Sequence, residues 1–153
     1  MNTKTLKGMG ATASLLIGIG AASPALADTF TGLQGLGAAG NAIDVWTFIC
    51  PAGTVSAQAR VFDNNPPFNA PALMQVVLGE DGSPTVQATD QNPFANGEGG
   101  GPSPYAVAAD GPGLYAMAFK KTAGGVEAYI GSARCVNAGG GILNPPLTRR
   151  INQ

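Results

Sequence analysis

The chain has 153 residues, of which 44% are hydrophobic and only 11% charged, with a formal net charge of −1 and no histidine. Eight scattered basic residues cannot supply the clustered cations that nucleic acid or an anionic membrane surface demands. The missing histidine removes the commonest general base, the usual zinc ligand and the neutral-pH switch together.

Residues 1–27 read as an export signal. Lys4 and Lys7 precede an uncharged stretch from about Gly8 to Ala22 centred on Leu15, Leu16, Ile17 and Ile19, and Pro24 stands before an Ala25-Leu26-Ala27 cleavage site. The apolar stretch is too short to span a bilayer. A mature chain beginning at Asp28 is therefore expected outside the cytoplasm, in the periplasm or the medium. Losing Lys4 and Lys7 takes the basic count from 8 to 6 against 9 acidic residues, a charge of about −3.

Residues 28–41 carry Gly32, Gly35, Gly37 and Gly40 and read as a flexible lead-in, with Phe30, Leu33 and Leu36 as anchors. From Ala42 short β-prone runs alternate with Gly, Pro and Asn punctuation. The clearest is 42–50, where Trp46, Phe48 and Cys50 share one face and Ile43, Val45 and Ile49 the other, predicting a central strand covered on both sides. Pro51-Ala52-Gly53 turns the chain into a strand over 54–62, with Val55, Ala57, Ala59 and Val61 inward and Ser56, Gln58 and Arg60 outward.

Asp63-Asn64-Asn65-Pro66-Pro67 reads as a loop, because paired prolines cannot donate to a ladder. Strands near 73–78 and 85–90 flank a hairpin turn containing Asp81-Gly82. The polar stretch from Gln91 to Pro104 is the longest loop. Strands over 105–109, 114–121 and 126–135 follow, and a Gly- and Pro-rich tail, 137–153, is expected to be poorly ordered. The pattern predicts an all-β domain over 42–136, an antiparallel two-sheet sandwich of about seven strands.

Cys50 and Cys135 are the only cysteines, and an oxidising compartment predicts one structural disulfide closing an 85-residue loop. By parity Cys50 shares a face with Trp46 and Phe48, and Cys135 one with Tyr129. An exposed tryptophan would suggest a sugar-stacking platform, but Trp46 sits in an apolar strand and reads as core. Tyr105, Tyr115 and Tyr129 lie near strand ends, where rim positions suit them.

Candidate binding residues are the polar groups of the predicted loops: Asp63, Asn64, Asn65, Asp90, Asn92, Glu98, Tyr105 and Asp110. Loops 63–71, 91–104 and 110–113 are read as one recognition surface. No cofactor is expected. Calcium is the one ion that the oxygen-rich stretches Asp63-Asn64-Asn65 and Asp90-Gln91-Asn92 would suit, although Asx residues in turns normally satisfy their own backbone. The Gly97–Gly101 run is followed by Pro102-Ser103-Pro104 rather than a helix, so it reads as a linker and not a phosphate loop.

The run Asp44-Val45-Trp46-Thr47-Phe48, then Pro51-Ala52-Gly53-Thr54, resembles the opening of bacterial pre-peptidase C-terminal domains. Gly113-Leu114-Tyr115-Ala116-Met117 is similar to their Gly-x-Tyr strand. The resemblance spans about residues 42–121. It implies a jelly-roll-like β-sandwich, usually non-catalytic and found on secreted proteins. The expected function is binding or adhesion, with an extracellular glycan or protein as partner and no nucleic acid or membrane span. Two alternatives stand beside it: a subunit of a filament or coat assembled by strand addition through 28–41, and a secreted inhibitor using 91–104 as its reactive segment.

Overall fold

A computed structural model describes residues 28–64, 72–91 and 100–153. The strands are β1 (Thr29–Leu36), β2 (Ile43–Cys50), β3 (Thr54–Asp63), β4 (Met74–Glu80), β5 (Val86–Thr89), β6 (Ala106–Ala108), β7 (Gly113–Lys121), β8 (Glu127–Asn137), β9 (Ile142–Leu143) and β10 (Thr148–Ile151). Among the described residues there is no helix.

Two antiparallel sheets form. Sheet A has the order β1-β8-β3-β6, with β9 also pairing with β8, and sheet B the order β10-β2-β7-β4-β5. Pairs β1–β8, β2–β7, β3–β6 and β4–β5 are nested one inside the next, as when a long double-stranded ribbon is wrapped around a core. That is the jelly-roll arrangement. The disulfide joins the end of β2 in sheet B to β8 in sheet A, with Cα atoms 5.6 Å apart.

The alternating pattern dictates which side chains meet between the sheets. Sheet B contributes the bulk: Trp46, Phe48, Met74, Val76, Leu78, Tyr115, Met117 and Phe119. Sheet A answers mostly with small residues, Ala57, Ala59, Ala106, Ala108 and Ala133, together with Val61 and Tyr129. Gly131 of β8 shows why small size is needed there. A Cβ at that position would lie 2.2 Å from the Phe119 ring, so only glycine lets the ring lie against the strand.

Four expectations need correction. Residues 29–36 are not a loose lead-in but a full edge strand paired with β8, bulged between Phe30 and Leu33 around Gly32, whose φ is +72°. The tail is likewise ordered, β9 on β8 and β10 on β2, which raises the strand count from about seven to ten. Strand β2 is central within its sheet but not covered on both faces, since Ile49 is 65% exposed. Finally, a register shift between Thr54 and Ser56 reverses the parity at the start of β3: Thr54 and Ser56 are buried and Val55 faces solvent.

Loops divide between two ends. The strand ends that flank the β1–β2, β3–β4, β5–β6 and β7–β8 connections lie at one end. The β2–β3, β4–β5 and β6–β7 connections lie at the other, with the disulfide. No helix among the described residues is long and apolar enough to cross a membrane.

Candidate functional site

Polar groups gather on the outer face of sheet A. Alternation along β3 turns Gln58, Arg60 and Phe62 outward. The β3–β8 register sets them opposite Arg134, Ser132 and Ile130. Strand β1 adds Phe30, opposite Ser132 on the other side of β8. Tyr105 arrives from the segment just before β6, its ring 4.6 Å from the Arg60 guanidinium carbon and 4.0 Å from that of Arg134. Two cations thus pack on one aromatic ring.

Asp28 is the hub. Its side chain is only 4% exposed, and Oδ2 accepts from Arg60 Nη2 at 2.8 Å, the Tyr105 hydroxyl at 2.5 Å and Ser132 Oγ at 3.1 Å. Arg134 Nη1 stands 3.6 Å from Oδ1. Around them, Arg60 Nε donates to Ser132 Oγ at 3.3 Å and Arg134 Nε to Gln58 Oε1 at 2.9 Å. Burial pushes the Tyr105 phenol up to about 12, helped by its hydrogen bond to the Asp28 carboxylate and opposed by the two guanidiniums. The phenol is therefore a neutral donor at physiological pH.

Among the described residues, this cluster sets two guanidiniums against one carboxylate, so one positive charge is left over. Directly beside it lies an open groove of about 250 Å³, lined by Phe30, Arg60, Phe62, Pro102, Ile130 and Ser132. Its floor is apolar and Arg60 stands at its polar margin. An excess cation next to an apolar trough suits a ligand that carries an anionic group beside a hydrophobic one.

The loop residues singled out from the sequence do not form one surface. Asp63 and Asp90 are buried, and they brace the bases of two connections at the same end. Asp90 Oδ2 accepts the Asp63 backbone N–H at 2.8 Å, and Asp63 Oδ2 that of Met74 at 3.3 Å. Asn64 donates its backbone N–H to Ala128 O at 2.8 Å. Asp110 is exposed at the opposite end, so the predicted three-loop surface is split. Asn65, Asn92 and Glu98 lie outside the described residues. Of the five candidates among the described residues only Tyr105 joins the cluster around Asp28. Among the described residues no three His, Cys, Asp or Glu side chains gather as a metal-binding set.

Another polar network is internal. Tyr129 donates to Asp44 Oδ2 at 2.8 Å, Trp46 Nε1 lies 3.4 Å from the Tyr129 hydroxyl, and Gln153 N donates to Asp44 Oδ1 at 2.9 Å. Burial raises the Tyr129 phenol further still, so it too remains a donor. With Arg149 at Asp44, this network fastens β10 to the body of the domain. Tyr115 and Tyr129 are core residues rather than rim residues, and Trp46 is buried. No tryptophan platform for sugar stacking is exposed.

Compared with protein-family models, curated proteins and solved structures, the chain matches none of them.

Proposed function

We propose that this chain is an exported, non-catalytic binding domain whose recognition surface is the outer face of sheet A. Its ligand is a protein segment that presents a carboxylate next to an apolar side chain. The observation that carries this reading is the leftover positive charge at Asp28–Arg60–Arg134, continuous with the groove of Phe30, Phe62 and Ile130. The charged network supports it further. Asp28, Asp44, Asp63 and Lys121 all spend hydrogen bonds on holding strands and turns in place, which is scaffold work rather than acid–base chemistry.

A direct test is a titration of residues 28–153 with acetylated peptides ending in Leu-Phe, as the free acid and as the amide, followed by NMR. Shifts at Phe62, Ile130 and Ser132 that need the free carboxylate support the reading. Equal response to acid and amide, or none, defeats it. The rival reading, an assembled subunit, changes form. Residues 29–36 are paired within their own chain, so they would offer their outer edge to a neighbour rather than leave as a donor strand.

A further inference from the structure

The carboxylate at the centre of the sheet A cluster belongs to the chain itself, and the groups that hold it are also tied to one another. Arg60, Ser132 and Arg134 are placed by the β3–β8 register. Arg60 Nε donates to Ser132 Oγ at 3.3 Å, Arg134 Nε donates to Gln58 Oε1 at 2.9 Å, and both guanidiniums lie on the Tyr105 ring. None of these contacts involves Asp28. Two guanidiniums, a phenol and a hydroxyl are therefore aimed at one point by their own packing, which makes them a preorganised carboxylate receptor.

The end of an edge strand fills this receptor. Asp28 precedes β1, and Thr29 and Phe30 pair with Ala133 and Ser132 before the strand bulges at Gly32, whose φ is +72°. Gly131 N–H donates to Thr31 Oγ1 at 3.0 Å, which pins the bulge to β8. Residues 33–36 then continue along β8 as far as the fully buried Leu36. Residues 28–30 are thus a short arm beyond a fixed point. Phe30 is 54% exposed and forms one wall of the groove, so lifting the arm uncovers little apolar surface and leaves the rest of β1 seated.

We infer that Asp28-Thr29-Phe30 is a tethered copy of the ligand, displaced by an extended segment of a partner protein that carries an acid two residues before an aromatic. This rests on the binding reading of sheet A given above and adds to it the pattern of the ligand. The incoming carboxylate takes the four donors that Asp28 vacates. Its aromatic ring enters the groove beside Phe62 and Ile130, and its backbone pairs with Ser132 and Ala133 as an added strand. Among the described residues, the charges that act on the Tyr105 phenol are Asp28, Arg60 and Arg134. With the arm lifted, the site therefore holds two positive charges and no negative one, which selects an acidic segment. Until then the arm is autoinhibitory, since a ligand binds only the fraction of molecules in which it has swung away.

The probe is acetyl-Asp-Thr-Phe-amide, titrated by NMR into residues 28–153 as wild type and as Asp28→Ala, with circular dichroism confirming each fold. Removing the tethered carboxylate should tighten the peptide at least about tenfold, because the competent fraction rises. Acetyl-Asn-Thr-Phe-amide should lose that gain. Acetate alone, against chloride at equal ionic strength, should raise the melting temperature of Asp28→Ala and leave wild type unmoved. Asp28→Asn keeps the shape of the arm and removes its charge; it should shift the affinity in the same direction, and it decides the matter if the alanine variant does not fold. A brace with no further role would leave the peptide as weak on both variants as on wild type, and that result overturns the inference. So does a folded Asp28→Ala chain that acetate fails to stabilise. Binding of the Leu-Phe acid to wild type with no gain in either variant strikes the displacement alone and leaves the sheet A reading in place. Failure of the Leu-Phe acid on wild type moves neither comparison.

Discussion

Arg149 Nη2 donates to Asp44 Oδ2 at 2.6 Å, although 105 residues separate them, and the Asp44 side chain is fully buried. Removing one partner of such a pair leaves an uncompensated charge, which costs about 3–5 kcal/mol. Because Arg149 keeps 27% of its side-chain exposure, water recovers part of that cost. We predict that Arg149→Met lowers the unfolding free energy by about 2–3 kcal/mol. Asp44→Asn in the same chain should recover part of it, since a neutral amide needs no counter-charge. Urea unfolding of the two single variants and the double variant measures the coupling.

The Cys50–Cys135 bridge closes an 85-residue loop between the two sheets. Chain-entropy arguments assign such a closure about 4–5 kcal/mol, a large share of the 5–15 kcal/mol typical of a domain. Reduction, or paired Cys→Ala substitution, should lower the urea midpoint accordingly while leaving the far-ultraviolet spectrum of the folded state unchanged. An unchanged midpoint would show that the interface between the sheets holds without the bridge.

Gly131→Ala should be disproportionately costly for a single methyl group. The added Cβ would meet three atoms of the Phe119 ring at 2.2–2.8 Å, and that ring is already held against Tyr129 with centroids 4.7 Å apart. Overpacking of this kind costs about 1–3 kcal/mol. Phe119→Leu in the Gly131→Ala background should relieve part of the loss, which a thermal melt of the pair would reveal.

Raised tyrosines make the fold sensitive to alkali. Burial lifts Tyr105 and Tyr115 to about 12, with hydrogen bonding to Asp28 adding to the first and the charges of Glu80 and Asp110 to the second. The unfolded chain releases these protons near 10, so above that pH it binds fewer protons than the native state. Stability from these groups is therefore complete below pH 10 and is lost as pH rises toward 12. Tyr105→Phe should flatten the slope of stability between pH 10 and 12, as read from urea midpoints across that range.

The seven strands from β2 to β8 were legible because each carries a run of alternating apolar residues bounded by Gly, Pro or Asx turns. Strand β1 was not, because Gly32 and Gly35 read as flexibility when taken alone. The strand is held instead by contacts distant in sequence: Asp28 at one end and Leu36, fully buried, at the other. Strand β10 was hidden for the same reason, since its anchor is a carboxylate on β2. The parity of β3 failed only at its first residues, where the bulge adds one position. As for the site, Tyr105 is legible as a rim residue and binding candidate, but its neighbours come from positions 28, 60, 132 and 134. Only the β3–β8 register brings Arg60, Ser132 and Arg134 together, and no local motif encodes that register.

The nested pairing also prescribes an order of events. Of the four nested pairs only β4–β5 is joined by a short turn, and each outer pair encloses a longer length of chain, until β1 must find β8 across about a hundred residues. Loop-closure entropy makes the outer pairs slow unless the inner ones have already formed. Pairing from the middle of the chain outward is therefore the order with the smallest loop-closure cost, and β1 closes the last and longest loop. Until then the rim of β8 stays open, for milliseconds to seconds on the scale typical of such topologies. That is the interval in which a neighbouring chain, or a guarding chaperone, has its opportunity.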